Sequence, residues 1–184
     1  MKRTLLTLFC LGLLTIANAQ KLLPEIKKGT VLTSSGYMNG QEFPLIFVVN
    51  SLAGPASIGW SVDGYGEGSF EISDKALESA TKLAGGTQPA QGVTKLADDQ
   101  TFGVLSKEAY KTLADKKTLN YNGLKFKVKA DDANPMKING KEADVTHVVT
   151  EDGKLQLWIL NQPAFPFIVQ TAGMPIDFVV TEIK

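Results

Sequence analysis

The chain has 184 residues, with 19 basic and 19 acidic side chains, 43% hydrophobic residues, one cysteine and one histidine. Its only arginine is Arg3, so every later cation is a lysine. Residues beyond Arg3 offer no guanidinium fork and no net positive charge, and are poorly equipped to hold nucleic acid or anionic polymers. Cys10 is the sole thiol, which argues against a disulfide framework and a thiolate metal centre.

Taken in chain order, the N-terminus comes first. Lys2 and Arg3 precede an apolar run from Leu5 to Ile16, and Ala17-Asn18-Ala19 fits the small-x-small rule for signal cleavage. The run is short for a membrane span. Residues 1–19 therefore read as a secretory signal cut before Gln20, and a lipid anchor would need Cys where Gln20 stands. Residues 20–184 then form one domain, which keeps all 19 acidic residues and loses two basic ones. The expectation is an exported protein of a bacterial envelope, periplasmic or extracellular, stable by packing alone. No later stretch is apolar enough for a transmembrane span.

Turn dipeptides punctuate residues 20–184. Asn39-Gly40, Asn122-Gly123, Asn139-Gly140 and Asp152-Gly153 each lie between strand-like segments, and Asp63-Gly64 is a fifth candidate. These pairs supply the positive φ angles of two-residue hairpin loops. Between them the sequence has period two. Ile58, Trp60 and Val62 alternate with Ser57, Gly59 and Ser61; Leu124, Phe126 and Val128 alternate with Lys125, Lys127 and Lys129. The lysine row reads as a solvated strand face rather than a basic binding stripe.

Two helices interrupt the strands. Ser73 caps one with Ala76, Leu77, Ala80, Leu83 and Ala84 on its inner side, ended by Gly85-Gly86. Ser106 caps another with Ala109, Tyr110, Leu113 and Ala114 inward. The segment Gly85 to Lys95 between them reads as a loop, with a lid as the sharper alternative. The expected fold is β-rich α+β: a curved antiparallel sheet, partial barrel or sandwich, with two short helices on one face.

The C-terminal hairpin is apolar on both faces. With Asp152-Gly153 as its loop, Thr150 pairs with Leu155 and His147 with Trp158. Leu155, Leu157 and Ile159 then share a face with Thr146, Val148 and Thr150. Trp158 shares the other with Val145 and Leu160. The pattern describes a central hairpin covered by sheet on one side and helices on the other. If it hides a site, the second face is the place for it.

Catalytic patterns fail on their context. His147 has no nucleophile or orienting group beside it in sequence and no second histidine for a metal, and it reads as a cross-strand packing pair with Trp158. Ser79-Ala80-Thr81-Lys82 matches S-x-x-K, but the accompanying motifs do not follow it. Gly64-Tyr65-Gly66-Glu67-Gly68 precedes a strand rather than a helix, so it reads as a hairpin connection and not a phosphate cradle. Asp98-Asp99 and Asp131-Asp132 lack calcium-loop spacing. No catalytic residue, metal site or cofactor is assigned.

A larger pattern runs through Gly68-Ser69-Phe70-Glu71-Ile72-Ser73 into Ala76-Leu77, then Leu96-Ala97-Asp98-Asp99-Gln100-Thr101, and Leu105-Ser106 with Tyr110 and Leu113. It continues in Ile138-Asn139-Gly140-Lys141, in Trp158-Ile159-Leu160-Asn161, and in Pro166 and Glu182-Ile183. The set resembles a family of small exported bacterial proteins without assigned function, from about Gly64 onward. That resemblance implies an envelope location and supplies no active site. In size, leader and strand content the chain is also loosely similar to periplasmic lipoprotein carriers, which have a curved sheet with an apolar concave face.

Two functional readings stand. The first is a non-enzymatic binding or carrier domain for an apolar ligand or lipidated partner. Its candidate lining residues are Trp158, Leu160, Phe165, Phe167 and Ile168, with the apolar run Phe43 to Val49 as an echo. The second is a structural or interaction module of the envelope that works through a surface patch or sheet edge, with Pro44, Pro163 and Pro166 marking edge positions. An enzyme comes third.

Overall fold

A computed structural model describes residues 21–85, 89–130 and 135–184. The expected signal segment, Gly86 and the pair Asp131-Asp132 lie outside the described residues.

The first half of the chain builds a four-stranded meander. It comprises β1 (Val31–Met38), β2 (Gln41–Ser51), β3 (Ala56–Val62) and β4 (Gly66–Ile72). Asn39-Gly40 closes the first hairpin with both residues at positive φ, the requirement of a two-residue loop. Asp63-Gly64-Tyr65 closes the β3–β4 hairpin as a three-residue loop, so the glycine-rich segment is a hairpin connection. Then come α1 (Asp74–Ser79), β5 (Lys82–Leu83), β6 (Gly92–Lys95), β7 (Gln100–Thr101) and α2 (Lys107–Lys116). The second half supplies β8 (Thr118–Tyr121), β9 (Leu124–Val128), β10 (Lys137–Ile138), β11 (Lys141–Glu142), β12 (Val145–Thr150), β13 (Gln156–Leu160), β14 (Ile168–Ala172) and β15 (Asp177–Ile183).

Eleven strands form one sheet in the order β6-β4-β3-β2-β1-β15-β14-β13-β12-β9-β8. The last strand pairs with the first, which joins the two halves at the centre. The sheet is open, with β6 and β8 at its edges. It curls enough for Phe47 on β2 to meet Phe167, just before β14, at a centroid distance of 6.4 Å, although β1 and β15 lie between those strands. The expected β-rich fold with a curved sheet and two short helices is the one that forms. Its pairing is antiparallel except at β4–β6 and in the small β5–β7 sheet, where the strands run parallel.

The first helix is shorter than its apolar spacing suggests. α1 stops at Ser79, and Ala80 already has an extended ψ of 145°. Lys82 and Leu83 continue as β5, bonded to Gln100 and Thr101. Sheet pairing therefore overrides helical periodicity over these residues. It also separates Ser79 from Lys82, whose ammonium pairs with Asp99 at 2.7 Å, so no S-x-x-K site forms. The second helix matches its expected span, with Leu113 buried and Ala109 and Tyr110 half-buried, while Ala114 faces outward.

Both caps are the expected serines, and each has a second task. Ser73 Oγ accepts from Ala76 N and donates to Asp98 Oδ1 at 2.8 Å. Ser106 Oγ accepts from Ala109 N and donates to the Ala80 carbonyl at 2.7 Å, tying the start of α2 to the end of α1. Each hydroxyl thereby satisfies an orphan group of a helix terminus.

Two apolar clusters flank the C-terminal hairpin. Trp158 and Leu160 belong to the larger, with Phe47, Ile58 and Ile72 of the first meander. Leu157 and Ile159 belong to the smaller, with Val148, Phe126 and Leu113 of α2. The hairpin is thus central, with sheet on one side and a helix on the other. Its register is the expected one, including His147 opposite Trp158. Its loop is longer than two residues: Gly153 alone has positive φ, and the ladder resumes at the Thr150–Leu155 backbone bond. Thr150 and Asp152 bond at 2.6 Å within that loop.

Candidate functional site

The curl of the meander leaves an apolar cavity of about 640 Å³ on its concave side. Period-two alternation sends Phe43, Leu45 and Phe47 of β2 into it, with Trp60 and Val62 of β3 and Phe70 of β4. Phe178 of β15 and Ile168 and Thr171 of β14 close the far wall, with Met174 and Ile176 from the turn between them. The remaining wall comes from Met38, Tyr65, Leu83 to Gly85, Pro89, Ala90, Thr94, Leu96, Gln100, Phe102 and Gly103. Among the described residues, no charged side chain lines the space.

The aromatic rings form a connected wall. Phe70 and Phe102 stack at 4.1 Å, Phe102 meets Phe47 edge-on at 5.8 Å, and Phe47 meets Phe178 edge-on at 5.2 Å. Trp60 stacks on Tyr65 at 5.9 Å. Such contacts fix the rings relative to one another. Two glycines make room for this arrangement. A Cβ on Gly36 would collide with the Phe43 ring, which lies across β1. A Cβ on Gly68 would stand 2.6 Å from the Gly92 carbonyl, so β6 docks beside β4 only because that position is bare.

Of the stretch Gly85 to Lys95, expected as a loop, Gly92–Lys95 is instead the edge strand β6, and Pro89 and Ala90 lie on the rim. Tyr65 fastens the rim twice. Its hydroxyl donates to the Pro89 carbonyl at 3.1 Å, and its own carbonyl accepts from Gln91 Nε2 at 2.8 Å.

Of the five lining residues suggested by the sequence, the cavity wall contains Ile168. Trp158, Leu160, Phe165 and Phe167 are buried in the larger core cluster instead. The wall is drawn mainly from the first meander, where Phe43 to Val49 is the visible signal. Trp60, Phe70, Phe102 and Phe178 are not among the lining residues expected from the sequence, and the curl of the sheet brings them together.

His147 is 6% exposed, its ring lies against Trp158, and its Nε2 is 2.9 Å from Gln156 Oε1. That is a packed pair outside the cavity wall. Pro44 lies where β2 outruns β3, whereas Pro163 and Pro166 stand in the connection between two interior strands, β13 and β14. Among the described residues no three His, Cys, Asp or Glu side chains gather as a metal site. Also among them, no helix is long and apolar enough to cross a membrane. No protein-family model, curated protein or solved structure matches this chain.

Proposed function

We propose that this protein is a non-enzymatic binding or carrier domain for an apolar ligand. The observation that carries the reading is a cavity of about 640 Å³ walled by aromatic and aliphatic side chains, with no charge among the described lining residues. Ligand sites commonly occupy roughly 300–1,000 Å³ and combine an apolar wall with a few polar groups. A packed core would have filled such a space, because an unfilled apolar cavity costs stability in proportion to its volume.

The test uses 1,6-diphenylhexatriene, a rod-shaped hydrocarbon that fluoresces in apolar surroundings. Wild-type protein should take it up saturably, and Leu96→Trp, which adds bulk to the wall, should weaken uptake while far-ultraviolet circular dichroism stays unchanged. No uptake, together with protein from the native envelope that releases no lipid in native mass spectrometry, would sink the reading.

An export signal over residues 1–19 completes the proposal. Protein recovered from the native envelope should begin at Gln20 on N-terminal sequencing; retention of residues 1–19 in the mature form would refute it.

A second reading rests on the open edge of the sheet. β6 has no pairing partner on its outer side among the described residues, and Val93 on it is 63% exposed. An extended segment of another protein would find free backbone groups there. Val93→Pro should abolish such a contact in crosslinked envelope extracts and leave hydrocarbon uptake intact.

A further inference from the structure

The wall is not uniformly apolar, and its polar residues differ in one respect. Thr171 Oγ1 is fully engaged, donating to Asp177 Oδ1 at 2.9 Å and accepting from Phe178 N at 3.2 Å. The Gln100 amide and the Thr94 hydroxyl make no hydrogen bond to any described residue, although both residues are half-buried in the wall. Their direction follows from strand alternation. Thr101 points away from the cavity and bonds Tyr121 OH at 2.8 Å, so Gln100 and Phe102 share the opposite, cavity-facing side. Thr94 is the cross-strand neighbour of Phe70, and Phe70 stacks on Phe102. The two polar groups therefore belong to one region of the wall, around that ring pair.

Building on the apolar-cavity reading above, we infer that the ligand is a neutral amphiphile. It has an apolar body and one uncharged hydrogen-bonding group, a hydroxyl, carbonyl or amide, which pairs with Gln100 and Thr94. An amide and a hydroxyl together offer both donors and acceptors to a neutral polar group. A carboxylate or phosphate finds no cation among the described lining residues. Nearby, Lys82 is committed to Asp99 at 2.7 Å, and Lys75 to Asp98 at 3.3 Å. An anion leaving water without a counter-charge meets a large desolvation cost. Size bounds the body: at the roughly 30 Å³ that one water molecule occupies in the liquid, the cavity takes on the order of 20 non-hydrogen atoms.

The experiment compares three probes with the same twelve-carbon chain: dodecan-1-ol, dodecanamide and dodecanoate. Each competes with 1,6-diphenylhexatriene at pH 8. The alcohol and the amide should displace the hydrocarbon at concentrations at least about tenfold lower than the carboxylate. Gln100→Leu should weaken the alcohol and the amide by about tenfold relative to the hydrocarbon, the worth of one good hydrogen bond. Far-ultraviolet circular dichroism and the urea midpoint report that the variant is folded. Equal competition by dodecanoate, or no effect of Gln100→Leu on the neutral probes, would overturn the inference while hydrocarbon uptake still supported the cavity. Failure of the wild type to take up the hydrocarbon would overturn both.

Discussion

His147 and Trp158 lie ring on ring across β12 and β13, with centroids 3.9 Å apart and planes inclined by 17°. The pair sits where two central strands present their inner face, and Gln156 Oε1 holds Nε2 of His147 at 2.9 Å. Stacked aromatic pairs contribute roughly 0.5–1.5 kcal/mol beyond the area they bury. His147→Ala should therefore lower the stability by about 1–3 kcal/mol, counting the lost contact and the gap it leaves. Urea unfolding measures this, and the denaturant slope should stay constant. Hydrocarbon uptake should not change, because neither ring lines the cavity. A catalytic or ligand-holding histidine would instead show a binding defect larger than its stability defect.

The register of that pair is legible in the sequence, and the reason is physical. Loop position fixes pairing, and a strand buried on both faces still sends odd and even residues to different clusters. Leu157 and Ile159 go to one, Trp158 and Leu160 to the other. The cavity is less legible. Apolar spacing in Trp158 to Ile168 marks burial, and burial is common to core and site. What separates them is curvature, set by long-range strand order, and no local pattern encodes that β15 joins β1. The C-terminal half of the first expected helix fails for a related cause. Ala80, Leu83 and Ala84 have helical spacing, but parallel pairing of β5 with β7 supplies backbone partners that the sequence does not advertise.

Tyr121 ties the helix layer to the β5–β7 sheet. Its hydroxyl meets Thr101 Oγ1 at 2.8 Å and accepts from Ser106 N at 3.3 Å, in a fully buried setting. Tyr121→Phe leaves the Ser106 N–H without that acceptor and should cost about 1–3 kcal/mol. Burial raises the phenol pKa above its ordinary value near 10, and the hydrogen bonds from Thr101 and Ser106 oppose this only in part. The neutral phenol is thus favoured by folding. Its contribution is complete below about pH 10 and is lost as the pH climbs through the higher folded value. Wild type should show alkaline destabilisation in a melting series from about pH 9 upward, and Tyr121→Phe should show less of it.

The acidic pair after β6 behaves in the opposite sense. The Ser73 hydroxyl, followed by Lys75, holds the Asp98 carboxyl below its ordinary pKa; Lys82 does the same for Asp99. For a depressed carboxylate the stabilisation is present above the unfolded value of about 3.9 and is lost as the pH falls through the lower folded value. Ser73→Ala should move the Asp98 carboxyl resonance titration upward, toward the ordinary value, and should weaken α1 by about 1 kcal/mol through loss of its cap. An unchanged Asp98 titration in that variant would show that Lys75 alone sets the shift.

Gly68 decides whether the cavity keeps its outer wall. A Cβ there would stand 2.6 Å from the Gly92 carbonyl, 2.9 Å from the Trp60 indole nitrogen and 3.0 Å from the Ala90 carbonyl. Two of these are backbone atoms, which cannot swing aside. Gly68→Val should therefore expel β6 from the edge of β4 while β1 to β3, paired among themselves and with β15, remain folded. Thr94 and Leu96 leave the wall with it. Hydrogen exchange should then accelerate at Leu96, whose N in the wild type bonds the Glu71 carbonyl at 2.9 Å. Hydrocarbon uptake should fall together with that protection, since the space opens to water along one side. Uptake that survives the loss of Leu96 protection would mean that the ligand rests on β2, β3 and β15 alone.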